Sequence, residues 1–94
     1  GLELQPIDPQ QYLPRFASEL DCSTAVERRA RDLARRAVEE GIAGGRDPSG
    51  VAAACLYTAG RQVDAGGAVT QREAADVADV TPVTVRSTYV EIGD

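Results

Sequence analysis

Residues 51–59 read Val-Ala-Ala-Ala-Cys-Leu-Tyr-Thr-Ala, a stretch with no charge and with apolar side chains at nearly every position. Asp47-Pro48 precedes it as a helix start, Asp as cap and Pro at the first position, and Gly60 follows. A helix that is apolar all round cannot lie on a surface and must be enclosed by other elements. It is also far shorter than the roughly 20 apolar residues a bilayer demands. The chain is therefore predicted to wrap a helical bundle around a central helix. The alanines of that helix let its neighbours come close.

The flanking segments supply the wrapping. In a chain of 94 residues, one domain with a modest core is expected. Residues 1–8, with Leu2, Leu4 and Ile7 around Pro6, read as a linker, and residues 9–94 as the folded unit. Asp8-Pro9 opens a first helix in which Leu13, Phe16, Ala17 and Leu20 recur at i, i+3, i+4 and i+7, with Pro14 marking its true start or a kink. Ser23 or Thr24 caps a second helix, with Glu27 completing a capping box if Thr24 is the cap. Val26, Ala30, Leu33, Ala34 and Ala37 form its apolar stripe, and Gly41 stops it with Ile42 behind. Its other face carries Arg28, Arg29, Arg31, Arg35 and Arg36. Asp32, Glu39 and Glu40 follow Arg28, Arg35 and Arg36 at i+4, so this face reads as a solvated, ion-paired surface rather than a phosphate-binding ridge. After a loop at Gly44-Gly45-Arg46 comes the central helix, then a flexible turn at Asp64-Ala65-Gly66-Gly67. Thr70-Gln71-Arg72-Glu73 is a capping box that opens a fourth helix reaching Ala78, and Thr81-Pro82 opens a fifth. That fifth helix places Val85, Thr88, Tyr89 and Ile92 inward. The expected fold is all-α, with five helices.

Composition closes off chemistry. The chain has no His and two Cys, and it shows no paired-carboxylate or phosphate-loop pattern. Catalysis and metal binding are thereby excluded, and no catalytic or metal-ligating residue is proposed. Cys22 and Cys55 stand outside any CxxC spacing; a single bridge would be possible, but they read as two buried thiols of a cytoplasmic protein. No basic-then-apolar leader marks export. The lack of any Met makes the chain read as a piece of a longer protein. Ten basic residues, all Arg, stand against fifteen acids, for a net charge of −5. Acidic, Lys-free surfaces suit concentrated salt. An acidic domain is ordinarily a poor nucleic-acid binder, but in molar salt the Debye length shrinks to about 3 Å and global repulsion is screened.

The last two helices, residues 71–92, meet the positional demands of a helix-turn-helix. The first supplies a small residue, Ala75. Four residues on, where the turn needs tolerance of positive φ, stands Asp79, one of the few non-Gly types that visit that region readily. Val80 is an apolar plug, and Val85 is buried five positions later. With Val85 inward, Val83, Arg86, Ser87 and Val90 face out. Such helices lay N-terminal residues against base edges in the major groove. Arg86 can form a bidentate pair with guanine, and Val83 can pack on a thymine methyl.

The run Tyr12-Leu13-Pro14-Arg15-Phe16-Ala17-Ser18-Glu19-Leu20 resembles the opening of the second cyclin-like repeat of the transcription factor IIB family, in particular its archaeal members. Gly45-Arg46-Asp47-Pro48 with the Ala-rich helix, Thr70-Gln71-Arg72-Glu73, and Asp79-Val80-Thr81-Pro82-Val83-Thr84-Val85-Arg86 resemble it too, in order along nearly the whole chain. The resemblance implies a five-helix cyclin-like fold with a C-terminal helix-turn-helix. It also implies a general initiation factor that binds promoter DNA at the B-recognition element upstream of the TATA box. Its partners would be the TATA-binding protein and, through the full-length protein, RNA polymerase. By the same resemblance Val83 and Arg86 touch bases. Gln71, Arg72, Thr81, Thr84 and Ser87 lie near the DNA backbone, and Arg46 is a phosphate contact ahead of the central helix. No cofactor is implied for this chain, since the family's zinc ribbon belongs to an N-terminal part not present. Most contacts with the TATA-binding protein fall to the first repeat, and the fragment is expected to be a monomer in an archaeal, nucleoid-associated, cytoplasmic setting. Asp79 departs from the commoner Gly, and Pro82 from a carboxylate or small polar residue.

Two rivals remain open on the sequence. One is a cyclin-like protein-interaction adaptor without sequence-specific DNA binding. The other is a DNA-binding regulator with an unrelated helical body, against which the match at residues 45–57 counts. The charge balance makes a separate prediction. Self-repulsion destabilises a small acidic bundle in dilute buffer, so the thermal midpoint should rise steadily with KCl up to molar concentration. A flat midpoint in a KCl series followed by circular dichroism would remove the halophilic reading.

Overall fold

A computed structural model describes residues 8–63 and 69–92; residues 1–7 of the linker expected at 1–8, and the turn expected at 64–67, lie outside them. The described residues contain a 3₁₀ turn, Pro9–Tyr12, and five α-helices: α1 Leu13–Glu19, α2 Thr24–Glu39, α3 Pro48–Val63, α4 Gln71–Ala78 and α5 Pro82–Ile92. No strand occurs among them. The order, number and bounds of the helices follow the sequence pattern closely.

The first helix departs from the pattern in one detail. Asp8 is the cap expected ahead of Pro9, accepting from Gln10 N at 2.8 Å, but what it caps is a 3₁₀ turn, and the α-helix begins only at Leu13. Pro14 explains the division, because a residue without an N–H is tolerated only where no intrahelical donor is needed, in the first turn. Ser23, not Thr24, caps α2, its Oγ accepting from Val26 N at 3.2 Å. The alternative box with Glu27 therefore does not form, and Glu27 pairs instead with Arg31 at 2.8 Å. On the same face Arg35 meets Asp32 and Arg36 meets Glu40, so the arginine-rich ridge is laced by carboxylates. Exposed pairs of this kind are each worth at most about 1 kcal/mol and serve solubility more than stability.

Helix α3 is the element every other one packs against. Val51, Ala52, Ala53, Ala54, Cys55, Leu56 and Ala59 are all fully buried. Around them sit Leu13 and Phe16 from α1, the stripe Val26, Ala30, Leu33, Ala34 and Ala37 from α2, Ala74 and Ala75 from α4, and Val85 from α5. Burial alone raises the Cys55 thiol to about 12, and burial together with nearby Asp21, Glu27 and Glu73 raises Cys22. Both thiols are unbonded and protonated at neutral pH, the opposite of what a nucleophile or metal ligand requires.

One buried polar atom, Thr58 Oγ1 on α3, has no hydrogen-bond partner. An unsatisfied buried hydroxyl costs about 1–3 kcal/mol, and Val has the same shape without it. Thr58→Val should therefore stabilise the domain by about 1 kcal/mol, read as a higher denaturant midpoint at unchanged slope. Destabilisation would mean that the hydroxyl is satisfied in solution.

Candidate nucleic-acid interface

Helices α4 and α5 are joined by the residues Asp79, Val80 and Thr81, and each joint has a stated cause. Thr70 accepts from Glu73 N at 3.0 Å while Glu73 Oε1 accepts from Thr70 N at 3.0 Å, which completes the capping box expected there. At the other end of α4, Asp79 adopts φ 57°, ψ 44°, the left-handed conformation. Its N–H returns to Asp76 O at 3.2 Å and that of Val80 to Ala75 O at 3.0 Å, which is the Schellman pattern. Asp21 ends α1 in the same way at φ 57°, with Cys22 N donating to Ala17 O, a second use of the device that the sequence does not announce. Thr81 then caps α5, its Oγ1 accepting from Thr84 N at 3.2 Å.

The turn sets which side of α5 is free. Val85 and Thr88 are buried, Tyr89 and Ile92 are half-buried against the core, and Val83 and Val90 are 72% and 63% exposed. Arg86 and Ser87 are exposed as well. Val83 and Arg86 thus stand together on the outer face. Beside them the hydroxyls of Thr81 and Thr84 lie 3.0 Å apart, and Ser87 Oγ donates to Thr84 O at 3.1 Å, giving a polar strip along the same helix.

The remaining sequence-derived positions behave differently. Arg72 is exposed at the start of α4. Gln71 is half-buried, its Nε2 lying 3.4 Å from the hydroxyls of both Tyr57 and Tyr89, whose rings meet at 4.9 Å. It ties α3, α4 and α5 together, so its side chain is engaged within the fold. Arg46 is engaged too: its Nη1 donates to Thr88 Oγ1 at 3.2 Å and its Nη2 pairs with Glu91. Both partners lie on α5, so the side chain expected to contact a phosphate is engaged within the fold. Residues 71–92 hold two arginines, Arg72 and Arg86, against the four carboxylates of Glu73, Asp76, Asp79 and Glu91. An interface with two cations releases few counterions, so contact here would lose little in salt.

Comparison with known proteins settles the kinship. The sequence profile of the family described as Transcription factor TFIIB repeat matches residues 2–94. The chain belongs to the transcription factor IIB family. This is a family of transcription factors, not of enzymes, and the TFIIB repeat works without a cofactor. Transcription initiation factor IIB 1 of Halobacterium salinarum is 53% identical over 94 residues, covering 100% of this chain and 32% of the relative. Transcription initiation factor IIB of Haloarcula vallismortis is 46% identical over 90 residues, 96% of this chain and 77% of that protein. Transcription initiation factor IIB of Methanococcus maripaludis is 48% identical over 92 residues, 98% of this chain and 26% of its own length. The TFIIB repeat described here thus spans about a third or less of two of these three relatives. Among its described residues no group of three or more His, Cys, Asp or Glu could hold a metal ion, and no helix is long and apolar enough to cross a membrane.

The left-handed turn at Asp79 generates a direct test. A β-branched side chain is strained at that φ by roughly 1–2 kcal/mol, whereas Gly is not. Asp79→Val should lower stability by that amount and Asp79→Gly should leave it equal or higher, measured by chemical denaturation. Equal tolerance of both would mean the turn is not left-handed.

Proposed function

We propose that the chain is the second cyclin-like repeat of an archaeal transcription initiation factor, and that it reads promoter DNA just upstream of the TATA box through α5. The observation that carries this reading is the outer face of α5. An exposed Val83 and an exposed Arg86 sit one turn apart on the second helix of a capped helix–turn–helix pair, and neither is needed by the core. An arginine there offers the fork that matches guanine O6 and N7, and a valine offers the apolar contact that suits a thymine methyl. The hydroxyls of Thr81, Thr84 and Ser87, with Arg72, supply the backbone contacts that fix register. The relatives' names support a role in initiation. On this reading the whole protein, with the TATA-binding protein and RNA polymerase as partners, assembles the initiation complex, and this repeat orients it. The protein acts as a monomer on the nucleoid, in a cytoplasm whose salt its acidic surface suits.

The test is an anisotropy titration in molar KCl of the full-length factor with the TATA-binding protein, on duplexes with intact or scrambled sequence upstream of the TATA box. Scrambling should weaken binding, and Arg86→Ala should abolish the difference, at a cost of about 1–3 kcal/mol on the intact duplex alone. Equal binding to both duplexes by the unaltered factor would favour the adaptor reading, with this repeat serving a protein partner.

A further inference from the structure

The segment 46–50 meets α5 near both of its ends, through Gly50 and Arg46, and meets the end of α4 through Ser49. At the N-terminal end of α5 Gly50 comes so close that a Cβ there would meet Thr84 Cγ2 at 3.4 Å and Val80 Cγ1 at 3.8 Å. Next to it Ser49 Oγ lies 3.3 Å from the carbonyl of Ala78, the last residue of α4, and 2.8 Å from Asp47 Oδ1. At the C-terminal end the anchor is Arg46. Its Nη1 donates to the hydroxyl of Thr88, which is 1% exposed and itself donates to Thr84 O at 2.9 Å. Its Nη2 pairs with Glu91, one turn further on.

Besides the contact of Gln71 with the Tyr89 hydroxyl, α5 rests on few apolar side chains. Val85 is the only apolar residue of α5 that is fully buried, and Tyr89 and Ile92 are only partly so. Apolar contact has no preferred direction, so a short helix resting on few such residues can turn about its axis. A guanidinium fork is directional, and bonded to two residues three apart it opposes that turn.

We infer that Arg46 is a positioning residue for base reading: through Thr88 and Glu91 it fixes the rotation of α5 and with it the direction of Val83 and Arg86. The inference rests on the proposed DNA-reading role of α5. It assigns Arg46 a different part from that of a phosphate contact, and the two parts differ in measurable ways. A phosphate contact adds about 0.9 to the slope of log affinity on log salt and strengthens all sequences alike. A positioning residue alters the preference between sequences and leaves the slope alone.

The experiment titrates the full-length factor with the TATA-binding protein onto the intact and scrambled duplexes at several KCl concentrations, for the unaltered factor, Arg46→Ala, Glu91→Gln and the double variant. Arg46→Ala should cut the preference for the intact duplex at least about fivefold, the lower end of what one bidentate base contact discriminates. The salt slope should stay the same. Glu91→Gln should reduce the preference in the same direction, and adding it to Arg46→Ala should do nothing more, because both act through one link. Glu91→Gln keeps the side chain's size, so it carries the test should Arg46→Ala fail to fold. An unchanged preference with a slope lowered by about 0.9, or tighter binding on Glu91→Gln, would overturn the inference in favour of a phosphate contact. Unchanged preference and unchanged slope would overturn it in favour of a surface ion pair without consequence. Absence of any preference in the unaltered factor would overturn the DNA-reading role itself, and the inference with it.

Discussion

Everything in this fold depends on enclosing α3. A helix with no polar face gains nothing from water on any side, so its burial requires partners all round it, and four helices are what the chain supplies. Its alanines decide how close those partners come. A wall of Ala52, Ala53, Ala54 and Ala59 lets helix axes approach where larger side chains would hold them apart, and the bulk is returned from outside by Phe16, Leu13, Leu33 and Val26. Large residues on the shell and small ones at the hub give a dense core from few aromatic side chains.

The same helix links the core to the outer surface of α5. Its first turn lies against the turn between α4 and α5, so the residues that start α3 also seat the two helices that follow much later in the chain. Gln71, held near Tyr57 and Tyr89, adds a second link from the middle of α3 to α4 and α5. The pose of α5 is therefore set from the first turn and the middle of the central helix.

Much of this was legible in the sequence because the signals were local. The apolar run at residues 51–59, the stripe of α2, the Thr70–Glu73 box and an Asp at the turn between α4 and α5 each state their structure within a few residues. The sidedness of α5 followed from placing Val85 inward. What escaped were choices between near-equals and contacts between distant residues. Ser23 and Thr24 are both good caps, and only the helix start tells them apart. For Arg46 the local pattern offered only its place ahead of the central helix; its partners, Thr88 and Glu91, lie more than forty residues along the chain. Thr88 did carry a hint, since a hydroxyl on the buried face of a helix asks for a donor. Which donor answers is fixed by tertiary packing alone.

The sharp division of α5 into a buried side and a bare side has an evolutionary consequence. Substitutions at 83, 86, 87 and 90 leave the core untouched, and surface changes of that kind generally shift stability by no more than about 0.5 kcal/mol. Sister copies of such a gene could therefore drift apart at those four positions while every one of them still folds. The scaffold imposes almost no toll on novelty there, and a duplicated copy would be free to change the chemistry of that face one outward side chain at a time.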